Sequence, residues 1–326
     1  MEIPYTKVVA CCDVLEESAK NRAEQYGIKT VYTNHRDALK DGEVDVVDIC
    51  VPIWLHSQIA IDALEAGKHV LCEKPMASSL DEADNMISAS KKAGVKFMIA
   101  HSGRYVPLFA EAKRQIESGG IGDPIVVRVA HRWGNPVDGW HTPAGRAKYL
   151  SKYGGPIIDS GIHGIDLIRW YLKREALTVY TEADMYPEPM PIFTQMNITI
   201  EFDDAIGFVE VGRTTKGYPS YDRILDVIGS KGSIHGFDNS YYTIPTRIPF
   251  EKAIIKLPST PTAYTPFIEK ITYPSEFELE IADFLRSILE DKPVPVPPED
   301  ARAALEIAFA AQKSGEDEKM VKLPLK

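Results

Sequence analysis

The sequence predicts an α/β domain built on a parallel sheet, followed by an α+β domain with a largely antiparallel open sheet. Three observations carry this. The region from residue 7 to about 100 alternates short β-branched runs with longer amphipathic ones. The later part strings extended segments in series with few helices between them. The length, 326 residues, suits two domains at roughly 150 residues each.

In the first region the candidate strands are Lys7–Cys12, Thr30–Tyr32, Val44–Val51, His69–Cys72 and Lys96–Ala100. Val44–Val51 is apolar at both ends, as expected where a parallel sheet is covered on both faces. The helices between are Glu16–Tyr26, Ser57–Ala66 and Leu80–Ala93, followed by Gly27, Gly67 and Gly94, each suited to the left-handed position that ends a helix. Ser79 and Glu82 have the spacing of a capping box. After Tyr105 the pattern changes. Pro107–Ser118 and Ile162–Leu172 read as helices, and Leu177–Asp184, Ile192–Phe202, Ala205–Arg213 and Arg223–Gly229 as strands, with Asp203-Asp204 as a hairpin turn. Two late helices, Glu276–Leu289 and Pro298–Lys313, flank the Pro-rich stretch 292–298, expected to be a stiff surface connection. The expected domains are 1–103 and 104–326.

Composition bounds the function. With 44% hydrophobic and 26% charged residues, the chain has the make-up of a soluble globular protein. No run approaches the roughly 20 apolar residues of a membrane span. The first residues lack the basic and apolar regions of a signal peptide, so a cytoplasmic protein is expected. Lys+Arg number 37 against 47 Asp+Glu, a net charge of -10, which supplies no basic excess for a nucleic-acid backbone. The 4 cysteines, Cys11, Cys12, Cys50 and Cys72, form no Cys-x-x-Cys pair. They are expected to pack as small hydrophobes, not to build a disulfide framework or zinc cage.

In a parallel sheet ligands bind outside the carboxyl ends of the strands. The first candidate strand ends at Asp13, whose carboxylate could accept hydrogen bonds from a diol or simply cap a turn. The third runs into Val51-Pro52-Ile53-Trp54-Leu55-His56 and the fourth into Glu73-Lys74-Pro75. Lys74 is the residue to single out, with an ion pair to Glu73 as its plainer explanation. A second constellation is Gly154-Gly155-Pro156-Ile157-Ile158-Asp159-Ser160-Gly161-Ile162-His163-Gly164-Ile165-Asp166. Asp159 and His163 share a face if a helix begins here, or Asp159 is its N-cap. His163 and Asp166 could be an oriented base or half of a metal site. Without a Cys or a His-x-x-x-His partner no metal is expected, and proton transfer suits the pair better.

Glu73-Lys74-Pro75 after a strand, together with the later Gly-Gly-x-x-x-Asp-x-Gly-x-His-x-x-Asp pattern, resembles the glucose-fructose oxidoreductase, inositol dehydrogenase and rhizopine-catabolism (Gfo/Idh/MocA) family. The resemblance runs from Lys7 through Ala63-Leu64-Glu65-Ala66-Gly67-Lys68-His69-Val70 and His101-Ser102-Gly103-Arg104-Tyr105 to Leu323-Pro324. It implies a Rossmann-like first domain and a second domain for substrate binding and oligomerisation. It implies an oxidoreductase that passes hydride between NAD, with NADP as the alternative, and a hydroxyl-bearing carbon of a sugar, cyclitol or related compound. On the matching positions Lys74, with Glu73 and Pro75, would lie near nicotinamide. His163 would be the base in oxidation, and Asp159 would orient the substrate or His163. Val51, Pro52 and His56 would line the cofactor groove, and Asp13 would hold the adenosine ribose, favouring NAD because a 2′-phosphate would meet a carboxylate. Arg104 and Tyr105 would sit near substrate. Homodimers or homotetramers are the family's usual assemblies, through the open face of the second sheet. Trp133, Trp140 and His141 fall where family members vary their substrate loops.

Two departures from the family pattern stand out. Thr-Pro-Asn, usual after the third strand, is Val51-Pro52-Ile53 here. No Gly-x-Gly-x-x-Gly occurs anywhere, and the first glycine is Gly27. The strand, loop and helix that cradle a pyrophosphate are therefore missing, and two or three lost charge-assisted hydrogen bonds would weaken dinucleotide binding by roughly 3 to 9 kcal/mol. The expectation is that the natural polypeptide carries this unit upstream of Met1. The alternative is a non-catalytic sugar-binding or assembly subunit of the same fold. Retained NAD serving redox-assisted glycoside cleavage is a third reading.

Overall fold

The computed structural model describes residues 6–135, 155–184, 193–216, 221–237, 240–245 and 275–325. The chain forms two units, Met1–His101 with Pro274–Arg302, and Ser102–Tyr273 with Ala303–Lys326. The division differs from the two consecutive blocks expected, because the chain returns to its first unit late. Helix α7 (Glu276–Leu289), started by a complete capping box between Ser275 and Glu278, buries Phe284 and packs on the first unit. The following stretch is anchored, not merely a surface connection: Val296 is fully buried and the Lys292 carbonyl accepts from Lys96 Nζ at 2.9 Å.

The first unit contains β1 (Ala10–Cys12), α1 (Glu16–Tyr26), β2 (Thr30–Tyr32), α2 (His35–Ala38), β3 (Val46–Ile49), α3 (His56–Glu65), β4 (His69–Glu73), α4 (Leu80–Ala93) and β5 (Phe97–Ala100). Gly27, Gly67 and Gly94 all take positive φ, as expected of helix-ending glycines. Ser79 caps α4 by accepting from Glu82 N–H at 3.2 Å, but the Glu82 carboxylate reaches the N–H of Ser78, one residue earlier than in a reciprocal box.

All strand pairings in this unit are parallel, yet the sheet is in two pieces, β1-β2 and β3-β4-β5. A doubly wound sheet would place one more strand between β1 and β3. Among the described residues none is there. Each piece therefore ends on an edge, which corrects the expectation for the cysteines: Cys72 on β4 is buried, but Cys12 on β1 and Cys50 after β3 are exposed. Val8 and Val14, beside β1, are 68% and 83% exposed. Polar links tie the β2–α2 segment to the rest. Asp62 of α3 takes His35 at 2.8 Å and Arg36 at 2.9 Å, and Lys68 Nζ donates to the Asp41 carbonyl at 3.3 Å. Exposed ion pairs contribute about 0–1 kcal/mol each, far less than a central strand.

The second unit contains α5 (Pro107–Glu117), β6 (Pro124–Asn135), α6 (Ile162–Leu172), β7 (Ala176–Asp184), β8 (Gln195–Phe202), β9 (Ala205–Lys216), β10 (Tyr221–Gly229), β11 (Gly232–Phe237), β12 (Ser240–Pro245), α8 (Pro298–Asp317), which begins in the first unit, and β13 (Val321–Lys322). Eight strands form one sheet in the order β12-β11-β10-β6-β9-β8-β7-β13. Among the described residues only β6 and β9 of this sheet pair in parallel. The β8–β9 hairpin turns on Asp203-Asp204, with Phe202 opposite Ala205 and Asp204 at φ 54. Alternate residues Val127, Val129, Val209, Val211, Leu225 and Val227 are buried on one face, where α6 packs against β6 and β9. The other face carries charged and exposed apolar groups. Arg132 forks onto Glu210 with both bonds at 2.7 Å, Arg128 lies over Phe208 at 5.4 Å, and Ile228 and Phe237 are 45% and 53% exposed.

Helix α6 lies unusually close to β9, and its glycines allow it. A Cβ on Gly164 would come within 2.9 Å of Val209 Cγ1, and one on Gly161 within 3.0 Å of Val211 Cγ2. The helix is further held by Arg104, whose Nε and Nη2 donate to the two oxygens of Asp166 at 2.8 and 2.6 Å, both side chains being 5% exposed or less. Arg104 also lies 5.4 Å from the Trp170 ring.

Two outcomes follow for measurement. Backbone amides of β1 and β2 exchange with deuterium at least ~100-fold faster than those of β4, since a strand with an unpaired edge opens locally and one paired on both sides does not; equal protection would show the two pieces to be one cooperative sheet. Gly164→Ala forces α6 away from Val209 and lowers unfolding free energy by about 1–3 kcal/mol in denaturant titrations, whereas an unchanged midpoint would show that the helix can shift freely.

Candidate functional site

In the first unit the predicted residues gather at strand ends. Asp13 follows β1, is exposed, and its Oδ1 accepts from the Leu15 N–H at 2.8 Å. It thus shapes the turn after the strand, the plainer of its two sequence readings, and presents a carboxylate where a parallel sheet binds ligands. Val51 is half-buried and Pro52 exposed, and a single 3-10 turn, Ile53–Leu55, leads into α3. Ile53, which replaces the polar residue expected by resemblance, is 2% exposed and packs inward. Its neighbour Trp54 is 43% exposed.

His56 opens α3 and is 1% exposed, so it is not a groove-lining side chain of the kind the resemblance suggests. Its Nδ1 lies 2.9 Å from the Pro75 carbonyl and its Nε2 2.8 Å from the Val51 carbonyl. Burial holds its pKa below the ordinary histidine value, with the Lys74 charge acting the same way and the backbone hydrogen bonds opposing. Glu73 ends β4 and Lys74 follows it, both half-buried, the Lys74 N–H donating to Glu73 Oε2 at 3.1 Å, and the Lys74–Pro75 peptide is cis. Glu73 therefore braces the backbone of the turn that presents Lys74.

In the second unit the run from Gly155 to Ile168 is buried at every position but Asp159 and His163, which are half-exposed. Residues Ile157–Gly161 are wound as a π turn that continues into α6, a widening often found at functional sites. Asp159 lies inside that turn, so it is not the N-cap of the helix. The wider turn and the spacing of four bring Asp159 and His163 to the one part of the segment that reaches solvent. Gly103 lies against His163, a Cβ there falling 3.5 Å from its Nδ1. Asp166, three residues beyond His163, points into the fold and holds Arg104 instead of forming half of a metal site. Arg104 is correspondingly buried, while Tyr105 beside it is half-buried.

His131 was not found from the sequence. It is 2% exposed on β6, with its ring 6.0 Å from His163 and 6.1 Å from Phe109. The alternation Val127, Val129, His131 was the available signal. Trp140 and His141 lie outside the described residues, as does the side chain of Trp133.

These surroundings fit part of a dinucleotide. Asp13 can take a ribose, and the Val51-Pro52 and Glu73-Lys74 turns offer backbone and an ammonium at neighbouring parallel strand ends. For the pyrophosphate, the described residues offer no glycine loop.

Comparison with known proteins agrees. Residues 2–101 match the model of an oxidoreductase family with an NAD-binding Rossmann fold, and residues 109–235 match the GFO/IDH/MocA C-terminal domain. An uncharacterised oxidoreductase of Bacillus subtilis, YrbE, is 30% identical over 96% of this chain and 88% of its own length. Myo-inositol 2-dehydrogenase of Thermotoga maritima is 27% identical over 96% and 90%. A levoglucosan dehydrogenase solved with NADH and levoglucosan has a TM-score of 0.80 at 25% identity, covering 97% of this chain and 90% of that one. With both halves matched and the motif residues standing at strand ends and on α6, the chain belongs to the Gfo/Idh/MocA family of NAD-binding oxidoreductases.

Proposed function

We propose that this protein oxidises a secondary hydroxyl of a sugar, cyclitol or related polyol, with Lys74, Asp159 and His163 as its catalytic residues. The observation that carries the reading is the exposure of Asp159 and His163 alone within a run otherwise buried from Gly155 to Ile168. The hydroxyl carbon gives up hydride, for which NAD is the acceptor, and its oxygen gives up a proton. His163 takes that proton. Asp159 orients the hydroxyl or the imidazole, and the Lys74 ammonium donates to the substrate oxygen and so stabilises charge developing there. Asp13 binds the ribose diol and disfavours a 2′-phosphate by like charge, so NAD is used before NADP. Tyr105, half-buried at the start of the second unit, contributes to the substrate site, and Arg104 acts from inside the fold through Asp166 and α6.

The open face of the eight-stranded sheet, with Ile228, Phe237 and Phe208 among charged pairs, supports a homodimer or homotetramer. Its place of action in this reading is the cytoplasm; no described helix is long and apolar enough to cross a membrane.

A second reading, a non-catalytic sugar-binding or assembly subunit, is favoured by the sheet in two pieces and the absent glycine loop. Titration calorimetry separates the two. The oxidoreductase reading expects NADH to bind residues 1–326 weakly, in the millimolar range, because two or three hydrogen bonds of about 1.5–3 kcal/mol each are not made; no heat at 10 mM would favour the binding subunit. His163→Ala, assayed with myo-inositol and levoglucosan at saturating NAD, is expected to lower kcat by about 10²–10⁴-fold while leaving NADH affinity unchanged. Undiminished turnover in that variant or in Lys74→Ala would remove the catalytic assignment.

A further inference from the structure

We propose that His56 is a positioning residue that ties the Lys74–Pro75 turn to the β3–α3 loop, holding most tightly when its ring is protonated. The inference rests on the reading that NAD and Lys74 meet at these strand ends. Its ground is a counting argument. The two ring nitrogens stand 2.9 and 2.8 Å from the carbonyl oxygens of Pro75 and Val51, and a carbonyl oxygen can only accept. A neutral imidazole carries one N–H and satisfies one of these contacts. The imidazolium carries two and satisfies both.

The consequence is positional. Val51 leaves β3 and Pro75 follows Lys74 at the end of β4, so one buried ring connects the ends of two adjacent parallel strands. Pairing between those strands reaches only as far as Ile49 and Cys72. Beyond that point the chain turns away on both sides, and the His56 ring takes over the connection. The ring sits at the first position of α3, which packs on α4, β4, β3 and α2. Lys74 is the charge that acts on the ring; it and burial oppose protonation, while hydrogen bonds to the backbone of Val51, Pro75 and Met76 favour it. The complete clasp therefore forms only below the ordinary histidine range, and at neutral pH the turn is held by one arm.

The test compares the native protein with His56→Gln, whose amide donates from one end only. NADH affinity is measured by calorimetry from pH 5.5 to 8.5, with the melting temperature at each pH. The expected result is a native affinity that improves toward the acid end, and a variant that is weaker there by about tenfold, the worth of one hydrogen bond, with a flatter pH dependence. A purely structural role would lower the melting temperature and leave the two affinity curves parallel, and parallel curves would overturn the proposal. Should the variant not fold, the imidazole nitrogens of the native protein decide. Two N–H signals for His56 at the acid end and one fixed tautomer at the alkaline end support the clasp; a tautomer-averaged ring, or a single N–H throughout, refutes it. Turnover of Lys74→Ala reports separately on the lysine, so failure of the clasp and failure of the Lys74 assignment are told apart.

Discussion

Helix α6 can lie as close to β9 as it does only because residues 161 and 164 have no side chain. Each glycine stands where a methyl group would enter Val211 or Val209, and the closeness they permit orders what surrounds them. With the helix pressed onto the sheet, Ile162, Ile165 and Ile168 are buried, and the faces left over are few. Asp166 turns inward to Arg104, and His163 and Asp159 take the positions that still reach solvent. A larger residue at 164 would lift the helix and move the imidazole with it. The spacing of small and polar residues in Gly161-Ile162-His163-Gly164-Ile165-Asp166 is thus a packing requirement that also decides which side chains reach solvent.

The first unit is organised differently. Its sheet is held by parallel pairing on either side of a break, and across that break the described contacts are ion pairs and side-chain hydrogen bonds instead of a ladder. Asp13, Val51-Pro52 and Glu73-Lys74 stand at strand ends, but the element that would lie between β1 and β3 is not among the described residues. The exposed Cys12, Cys50 and Val8 are the local signs of this. The sequence supplies no Gly-x-Gly-x-x-Gly loop for the pyrophosphate of a dinucleotide.

Much of the fold was legible in the sequence. Short strands and capped helices of the first unit were marked by glycines at positive φ and by Ser79, whose cap needs only four local residues. The Asp203-Asp204 hairpin was equally local. Strand β6 was missed although it lies at the centre of the second sheet, because its charged positions, Arg128 and Arg132, face the open side and break the apolar run that the eye follows. Strands β11 to β13 were missed because they are short; β11 and β12 form hairpins with the strands just before them, and β13 gains its pairing from β7, distant in sequence. The late return of α7 to the first unit could not be read from its amphipathic pattern, since the apolar face of a helix does not say which core receives it.

The candidate site divides in the same way. The sequence by itself determined which residue types were available, a Lys after a strand, an Asp and a His four apart after paired glycines, and the absence of a glycine loop, because these are properties of order along the chain. Only the tertiary structure decided which polar groups face solvent and which are spent inside the fold. Arg104 and Asp166 neutralise each other in the interior, His56 is closed between two carbonyls, and Asp159 lies in a π turn and not at a cap. Burial depends on what packs from elsewhere, and a residue's neighbours in space are set by contacts that its neighbours in sequence do not encode.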